Sequence, residues 1–278
     1  MPDHDHYAVF GHPIGHSKSP RIHSLFAEQT GQTRVKYAAR DVPPEQFESR
    51  VREFIAQGGK GLNCTIPLKQ LAFHIAPEKS SRALQCKAVN TLVVREDGSL
   101  FGDNTDGVGL VRDLTNNLKL VLVELDILVL GAGGASRGIL KPILDCQPRS
   151  LFVANRNAEK ARGLVAEFPE YRNLCAGGLQ DLDGRKFDLI LNATAASLTE
   201  QLPDLPDQLL NPYGVCYDLA YASRPTAFVK WGRLHNASIS VDGIGMLVEQ
   251  AAEAFRIWRG VLPDTRPVIK MLEKERAG

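Results

Sequence analysis

The sequence predicts an α/β protein made of two successive stretches of alternating strand and helix. Three observations carry that prediction. Short apolar runs of strand length alternate with helical periodicities along nearly the whole chain. One run, 127–130, enters the glycine turn Gly131-Ala132-Gly133-Gly134-Ala135 and is followed by helix, strand and helix, the order of a βαβ unit. The chain also changes character near Asn104 to Gly107. A length of 278 residues, 44% hydrophobic and 23% charged, suffices for one large domain or two small ones.

In the first stretch, Tyr7 to Phe10 is the opening strand. The loop after it, Gly11-His12-Pro13-Ile14-Gly15-His16-Ser17-Lys18-Ser19-Pro20, stands where ligands are held. A helix starts at Ser19, whose hydroxyl can cap it, with Pro20 at the first helical position and Ile22, Leu25 and Phe26 as its apolar stripe. Strands follow at Val35 to Ala39, Leu62 to Ile66 and Val89 to Arg95. A helix covers Pro44 to Gln57, and Asp97-Gly98 turns the chain into Leu100-Phe101. In the second stretch the expected parallel strands are 127–130, 151–154, 188–191 and 215–217, with a helix over 158–168. The last helices run from Met246 to Trp258 and from Pro267 to Lys274.

Basic and acidic side chains number 33 and 32, a net charge of +1, so no global field gathers nucleic acid. Leu118 to Leu130, the longest apolar candidate, is broken by Lys119, Glu124 and Asp126, so no membrane span is expected. The first six residues lack the basic and apolar regions of a secretory signal. Five scattered cysteines, Cys64, Cys86, Cys146, Cys175 and Cys216, form no CxxC pair and read as reduced thiols. These features point to the cytoplasm, to a small-molecule partner rather than nucleic acid or a membrane, and to a monomer or homodimer. The seven histidines show no ligand spacing, and no metal is expected.

Glycines after the first strand of a dinucleotide fold let the backbone approach a pyrophosphate, towards which the next helix turns its amides. Gly131, Gly133 and Gly134 satisfy that logic, although Ser136 replaces the usual third glycine. At the end of the second strand, where an NAD fold places an acid, the chain reads Asn155-Arg156-Asn157-Ala158-Glu159-Lys160. Two cations there suit a 2′-phosphate, and NADP is favoured over NAD. An exposed, charged helix start is the structural alternative.

Four clusters of the first stretch are richer in hydrogen-bonding groups than strand ends require: 17–19, 63–69, 88–91 and 102–107. Each has a purely structural reading as well. Ser19 can cap its helix, Ser17 can close a turn, Asn90 can satisfy strand backbone, Asp106 can cap the next helix, and Lys69 can be a surface lysine.

The ordered motifs Tyr7-Ala-Val-Phe-Gly with Pro13-Ile14 and His16-Ser-Lys-Ser-Pro20, Asn63-x-Thr-x-Pro-x-Lys69, Ala88-Val-Asn-Thr91, Gly102-Asp-Asn-Thr-Asp-Gly107, Gly131-Ala-Gly-Gly-Ala135, Asn155-Arg156, Asn192-Ala-Thr194 and Gly245-Met-Leu-Val-x-Gln250 resemble the shikimate dehydrogenase family across nearly the whole chain. The resemblance implies reversible NADPH-dependent reduction of 3-dehydroshikimate to shikimate. It implies Lys69 as acid/base residue, coupled with Asp106. It also implies Ser17 and Ser19 on the substrate carboxylate, and Thr65, Asn90, Asp106, Tyr221 and Gln250 around the rest. The cofactor NADP(H) would be held by Gly131, Ala132, Gly133, Gly134, Ala135, Asn155, Arg156, Lys160 and Thr194, with Leu219 and Gly243 near the nicotinamide. The implied division is a substrate domain of 1–106 with 244–278 and an inserted Rossmann-type NADP domain of 107–243.

Hydride addition to a ketone gathers negative charge on oxygen, which a positioned ammonium both stabilises and protonates. Lys69 fits that task without a metal. Four positions depart from the family pattern: Cys64 for a valine, Lys87 for a glycine, Ala195-Ala196-Ser197 for a segment richer in serine and glycine, and Leu219 for a frequent methionine. Lys87 implies strain if that glycine has a positive φ, which touches the geometry of Asn90. The alternatives are a quinate/shikimate dehydrogenase using NAD and a catalytically silent metabolite sensor.

Overall fold

A computed structural model describes residues 4–194, 196 and 201–277. The chain divides into two compact units, Met1–Leu110 with Leu247–Met271, and Val111–Met246 with Leu272–Gly278. Residues 272–278, grouped by the sequence reading with 244–271, fall in the second unit. There Arg276 pairs with Asp242 and its guanidinium lies 3.4 Å from the Ala222 carbonyl.

The first unit contains strands β1 (Asp5–Gly11), β2 (Val35–Asp41), β3 (Gly59–Cys64), β4 (Glu78–Lys79), β5 (Thr91–Val94) and β6 (Leu100–Asp103). They form one sheet in the order β2-β1-β3-β5-β6-β4, in which β5 runs against β3 and β6. Helices α1 (Ser19–Gln29), α2 (Phe47–Ala56), α3 (Lys69–Ile75), α4 (Ser81–Cys86) and α5 (Asp106–Arg112) alternate with them. Phe10, Phe47, Phe54, Leu62, Leu68 and Leu92 fill a core, and Cys64 packs in it as a small apolar group.

Three boundaries differ from the sequence reading. Ser19 is the first residue of α1 rather than its cap, and its N–H lies 3.3 Å from Ser17 Oγ. The third strand stops at Cys64 because the Thr65 carbonyl accepts the Leu68 N–H at 2.7 Å and closes a turn. The fifth starts at Thr91 because the Val89 N–H is taken by the Lys69 carbonyl at 2.9 Å.

The second unit holds β7 (Asp126–Leu130), α6 (Gly134–Leu144), β8 (Ser150–Ala154), α7 (Ala158–Val165), β9 (Leu174–Gly177), β10 (Phe187–Asn192), β11 (Leu210–Asp218), α8 (Ala227–Leu234) and β12 (Ile239–Asp242). Its six strands are all parallel, in the order β12-β11-β10-β7-β8-β9. This is the doubly wound order, and the expected parallel α/β domain is present. Ile127, Leu128, Val129 and Leu130 are wholly buried, as a strand covered on both faces requires. Then come α9 (Ile244–Arg259) and α10 (Arg266–Ala277). Among the described residues no helix is long and apolar enough to cross a membrane.

Ile22 and Phe26 of α1 are buried, as is Phe255 of α9. Among them lies His23, 1% exposed, its ring stacked 4.1 Å from Tyr37. Among the described residues neither of its ring nitrogens has a hydrogen-bond partner in good geometry, and the Asn63 side chain is the polar group beside it. Burial lowers its pKa from 6.5 to about 3. The unfolded chain takes up a proton here below pH 6.5 and the folded chain does not, so this contribution to stability is complete above pH 6.5 and lost as pH falls towards 3. The loss is about 1.4 kcal/mol per pH unit. Urea unfolding of wild type and His23→Met between pH 7 and pH 5 checks it: the stability difference should shift in favour of the variant at about that slope. Parallel pH dependences would refute the assignment.

Candidate active site

β1, β3 and β6 point the same way and β5 the opposite way, so the ends of the first three and the start of β5 share one edge of the sheet. Register aligns Val9 with Asn63, Asn63 with Thr91, and Thr91 with Asp103. The residues one step beyond are the ones with chemistry to offer: Thr65, Asn90 and Asn104 to Asp106. Backbone bonds continue the alignment, with Thr65 N–H to the Phe10 carbonyl at 2.9 Å, Cys64 N–H to Asn90 at 2.8 Å and Asn90 N–H to Asp103 at 3.0 Å. A Cβ on Gly11 would stand 2.4 Å from Thr65 Cγ2, so only glycine lets β1 end this close to the β3 loop.

At this edge the Lys69 ammonium donates to Asp106 Oδ2 at 2.5 Å, and their side chains are 30% and 15% exposed. Lys69 begins α3, while Asp106 begins α5 and has its N–H bound by Asn104 Oδ1 at 3.0 Å. Asn90 Nδ2 lies 2.8 Å from Asp106 Oδ1, 3.0 Å from Thr105 Oγ1 and 3.3 Å from Gln250 Oε1. Its Oδ1 accepts the Thr105 N–H and the Thr91 hydroxyl, each at 2.9 Å. Lys69, Asp106, Asn90 and Gln250 therefore belong to one network. Thr65 is half-buried at the same edge, Ser17 lies in the loop after β1 and Ser19 stands at the start of α1.

Two participants had no role in the sequence reading. Asn63 donates to the Asn90 carbonyl at 3.1 Å and the Thr91 hydroxyl at 3.0 Å, and accepts the Tyr37 hydroxyl at 2.7 Å. Asn63 stood in a quoted motif; Tyr37 gave no signal, since an aromatic residue in an alternating strand is ordinary. Cys86 lies close by, but burial and the neighbouring Asp106 charge push its thiol up to about 12.

Lys87, which closes α4, has φ 49° and ψ 36°. It occupies the left-handed region, as its glycine counterpart suggested, yet Asn90 keeps the full set of bonds above. Relieving this conformation in Lys87→Gly should stabilise the protein by about 1 kcal/mol. A rise in the urea midpoint at constant slope would show it; a fall would mean that the lysine's own contacts outweigh the strain.

In the second unit, Gly131 turns at φ 103° and its carbonyl accepts the Ser136 hydroxyl at 2.8 Å, so Ser136 braces the turn. A Cβ at Gly131 would stand 3.2 Å from Ala193 and Thr194. At Gly133 or Gly134 it would meet no protein atom within 4 Å. Packing therefore does not demand glycine there, and the open space leaves the backbone at the start of α6 approachable by an anion such as a phosphate. Ala132 is half-buried and Ala135 exposed. Strand order reverses between β7 and β10, the place where such sheets hold ligands.

Asn192 Oδ1 accepts the Thr194 hydroxyl at 2.8 Å, and the Asn192 carbonyl accepts the Leu219 N–H at 2.9 Å. A Cβ on Gly243 would fall 2.3 Å from the Leu219 carbonyl oxygen. Tyr221 is half-buried, and burial raises its phenol. Asn155 Nδ2 donates to the Asn157 carbonyl at 2.9 Å, and Asn157 caps α7. Arg156 and Lys160 are exposed, and among the described residues no carboxylate pairs with either. These donors fit a dinucleotide with a 2′-phosphate. Ala195 and Ser197 lie outside the described residues. Among those described, no group of three His, Cys, Asp or Glu side chains is placed to hold a metal ion.

Family models match the chain in three segments: a shikimate dehydrogenase substrate binding domain over residues 9–92, a shikimate / quinate 5-dehydrogenase model over 114–201, and a shikimate 5′-dehydrogenase C-terminal domain over 243–273. The chain is 60% identical over 276 residues to a shikimate dehydrogenase (NADP(+)) of Methylococcus capsulatus, covering 99% of each. It is 51% identical over 268 residues to one of Thioalkalivibrio sulfidiphilus, covering 96% of this chain and 98% of the other. A shikimate 5-dehydrogenase from Thermus thermophilus, solved with NADP(H) and shikimate, superposes with a TM-score of 0.85 at 33% identity, covering 97% and 99%. Motifs, sheet order, the Lys69–Asp106 pair and these likenesses agree, and the chain belongs to the shikimate dehydrogenase family.

Proposed function

We propose that this protein catalyses the reversible NADPH-dependent reduction of 3-dehydroshikimate to shikimate, a step towards chorismate and the aromatic amino acids. The observation that carries the proposal is the Lys69–Asp106 pair, bound through Asn90 to Gln250 at one sheet edge. NADP(H) supplies the hydride donor or acceptor when bound. Lys69 directs its ammonium at the substrate carbonyl oxygen, stabilises the charge that gathers there and delivers the proton; in the reverse direction it removes the hydroxyl proton. Asp106 holds Lys69 in place and orients a ring hydroxyl. Ser17 and Ser19 take the carboxylate, while Thr65, Asn90, Tyr221 and Gln250 bind the remaining polar groups. Gly131 to Ala135 receive the pyrophosphate, Asn155, Arg156, Lys160 and Thr194 the adenosine side, and Leu219 and Gly243 flank the nicotinamide.

An NAD-linked quinate/shikimate dehydrogenase would place an acid near position 155, where this chain has Asn155-Arg156. A silent sensor has no need of a paired Lys69 and Asp106. A cytoplasmic location is supported by five free cysteines, none in a disulfide. Incubation with shikimate and NADP+, with the product identified by NMR, tests the proposal: it should yield 3-dehydroshikimate and reduced cofactor together. Reduced cofactor without that product, or neither, would overturn it.

A further inference from the structure

We propose that Arg82 is a positioning residue for this reaction: it clamps the Asp106 loop and the helix carrying Gln250 to one another from behind the site. The inference rests on the substrate reading above. Arg82 lies on α4, whose start is fixed by Ser80 accepting the Ala83 N–H at 3.1 Å. From there its planar fork reaches Asp103 twice, Nε to Oδ1 and Nη2 to Oδ2, each at 2.7 Å. The same Nη2 reaches Glu253 Oε1 of α9 at 3.1 Å. The Asp103 and Glu253 side chains are 7% and 2% exposed, so both contacts lie in an environment where charge-assisted bonds are strong and directional.

Each arm ends one step from a substrate-binding group. Asp103 Oδ1 accepts the Asn104 N–H at 2.7 Å, and Asn104 Oδ1 in turn binds the Asp106 N–H at 3.0 Å. Glu253 is three residues beyond Gln250 on α9, so the two share a face of that helix. Gln250 and Asp106 both meet Asn90 Nδ2, which makes their separation critical. Arg256 also binds Glu253, at 2.8 and 3.0 Å, so Glu253 stays neutralised when Arg82 is altered. At Glu253, Arg82 is therefore needed for the link between the two segments more than for neutralising the charge, and lysine in its place keeps a cation beside Asp103.

Lysine at this position keeps the charge but cannot hold two carboxylates through a flat fork. For Arg82→Lys the expected result is a rise of tenfold or more in the KM for shikimate, a smaller fall in kcat and an unchanged Kd for NADP+. Gln250→Ala should raise the same KM, and Arg82→Lys/Gln250→Ala should be no worse than the poorer single variant, because both act on one contact. A Gln250→Ala effect with an Arg82→Lys KM within twofold of wild type would overturn the clamp while leaving the substrate reading intact. Fully multiplicative effects in the double variant would overturn it too. An unchanged KM in Gln250→Ala would refute the substrate role of Gln250, and with it the α9 arm.

Discussion

Replacing Lys69 with alanine should lower kcat about a thousandfold and leave the KM for shikimate within about tenfold of wild type. The asymmetry follows from where Lys69 stands. Its ammonium is donated to Asp106, whose other oxygen is held by Asn90 at 2.8 Å, so the carboxylate keeps a partner after the lysine is removed. Ser17, Ser19, Thr65 and Gln250 are untouched, and ground-state binding persists. What disappears is the group that meets charge developing on the carbonyl oxygen, an interaction made in the transition state. Steady-state kinetics with a parallel shikimate-binding titration check this. A near-normal kcat would remove Lys69 from its role, and an equal loss of binding and turnover would make it a binding residue.

The second large effect concerns the cofactor. Arg156→Ala should raise the KM for NADP+ by about ten- to a hundredfold, the worth of a charge-assisted bond to phosphate, with little change for NAD+. Arg156 is exposed and makes no ion pair among the described residues, so its removal should leave the fold unaffected and the loss should be confined to the 2′-phosphate. Titrating both cofactors against wild type and variant settles the point. Equal loss with NADP+ and NAD+ would place Arg156 elsewhere than at that phosphate.

Local pattern revealed the second unit well because its signals are local. The run Ile127 to Leu130 forms β7, the glycines that follow it lead into α6, and the Asn155-Arg156 pair stands between β8 and α7, each where the local pattern puts it. Strand β9 escaped because its four residues end in two small ones, Ala176 and Gly177, β12 because it is short and half-polar, and α3 and α4 because seven and six residues carry too little periodicity. The candidate site residues and the coupling of Lys69 with Asp106 were read through their ordered motifs, whereas the other bonds joining them were not. Asn90 meets Gln250 from 160 residues away, and Arg82 meets Glu253 from 171. No local spacing encodes such pairs; the sheet register and the return of α9 create them. Ser19 shows the reverse error: a residue type that favours caps stands already inside the helix, where its hydroxyl caps nothing and only its N–H reaches Ser17 Oγ.

Initial rates with shikimate and with quinate, each against NADP+ and NAD+, test the assignment most directly. The expected result is a kcat/KM for shikimate with NADP+ at least a hundredfold above any other combination, taking about 10² as the value of one charge-assisted contact. Equal use of NAD+ and NADP+, or quinate oxidised as well as shikimate, would contradict it.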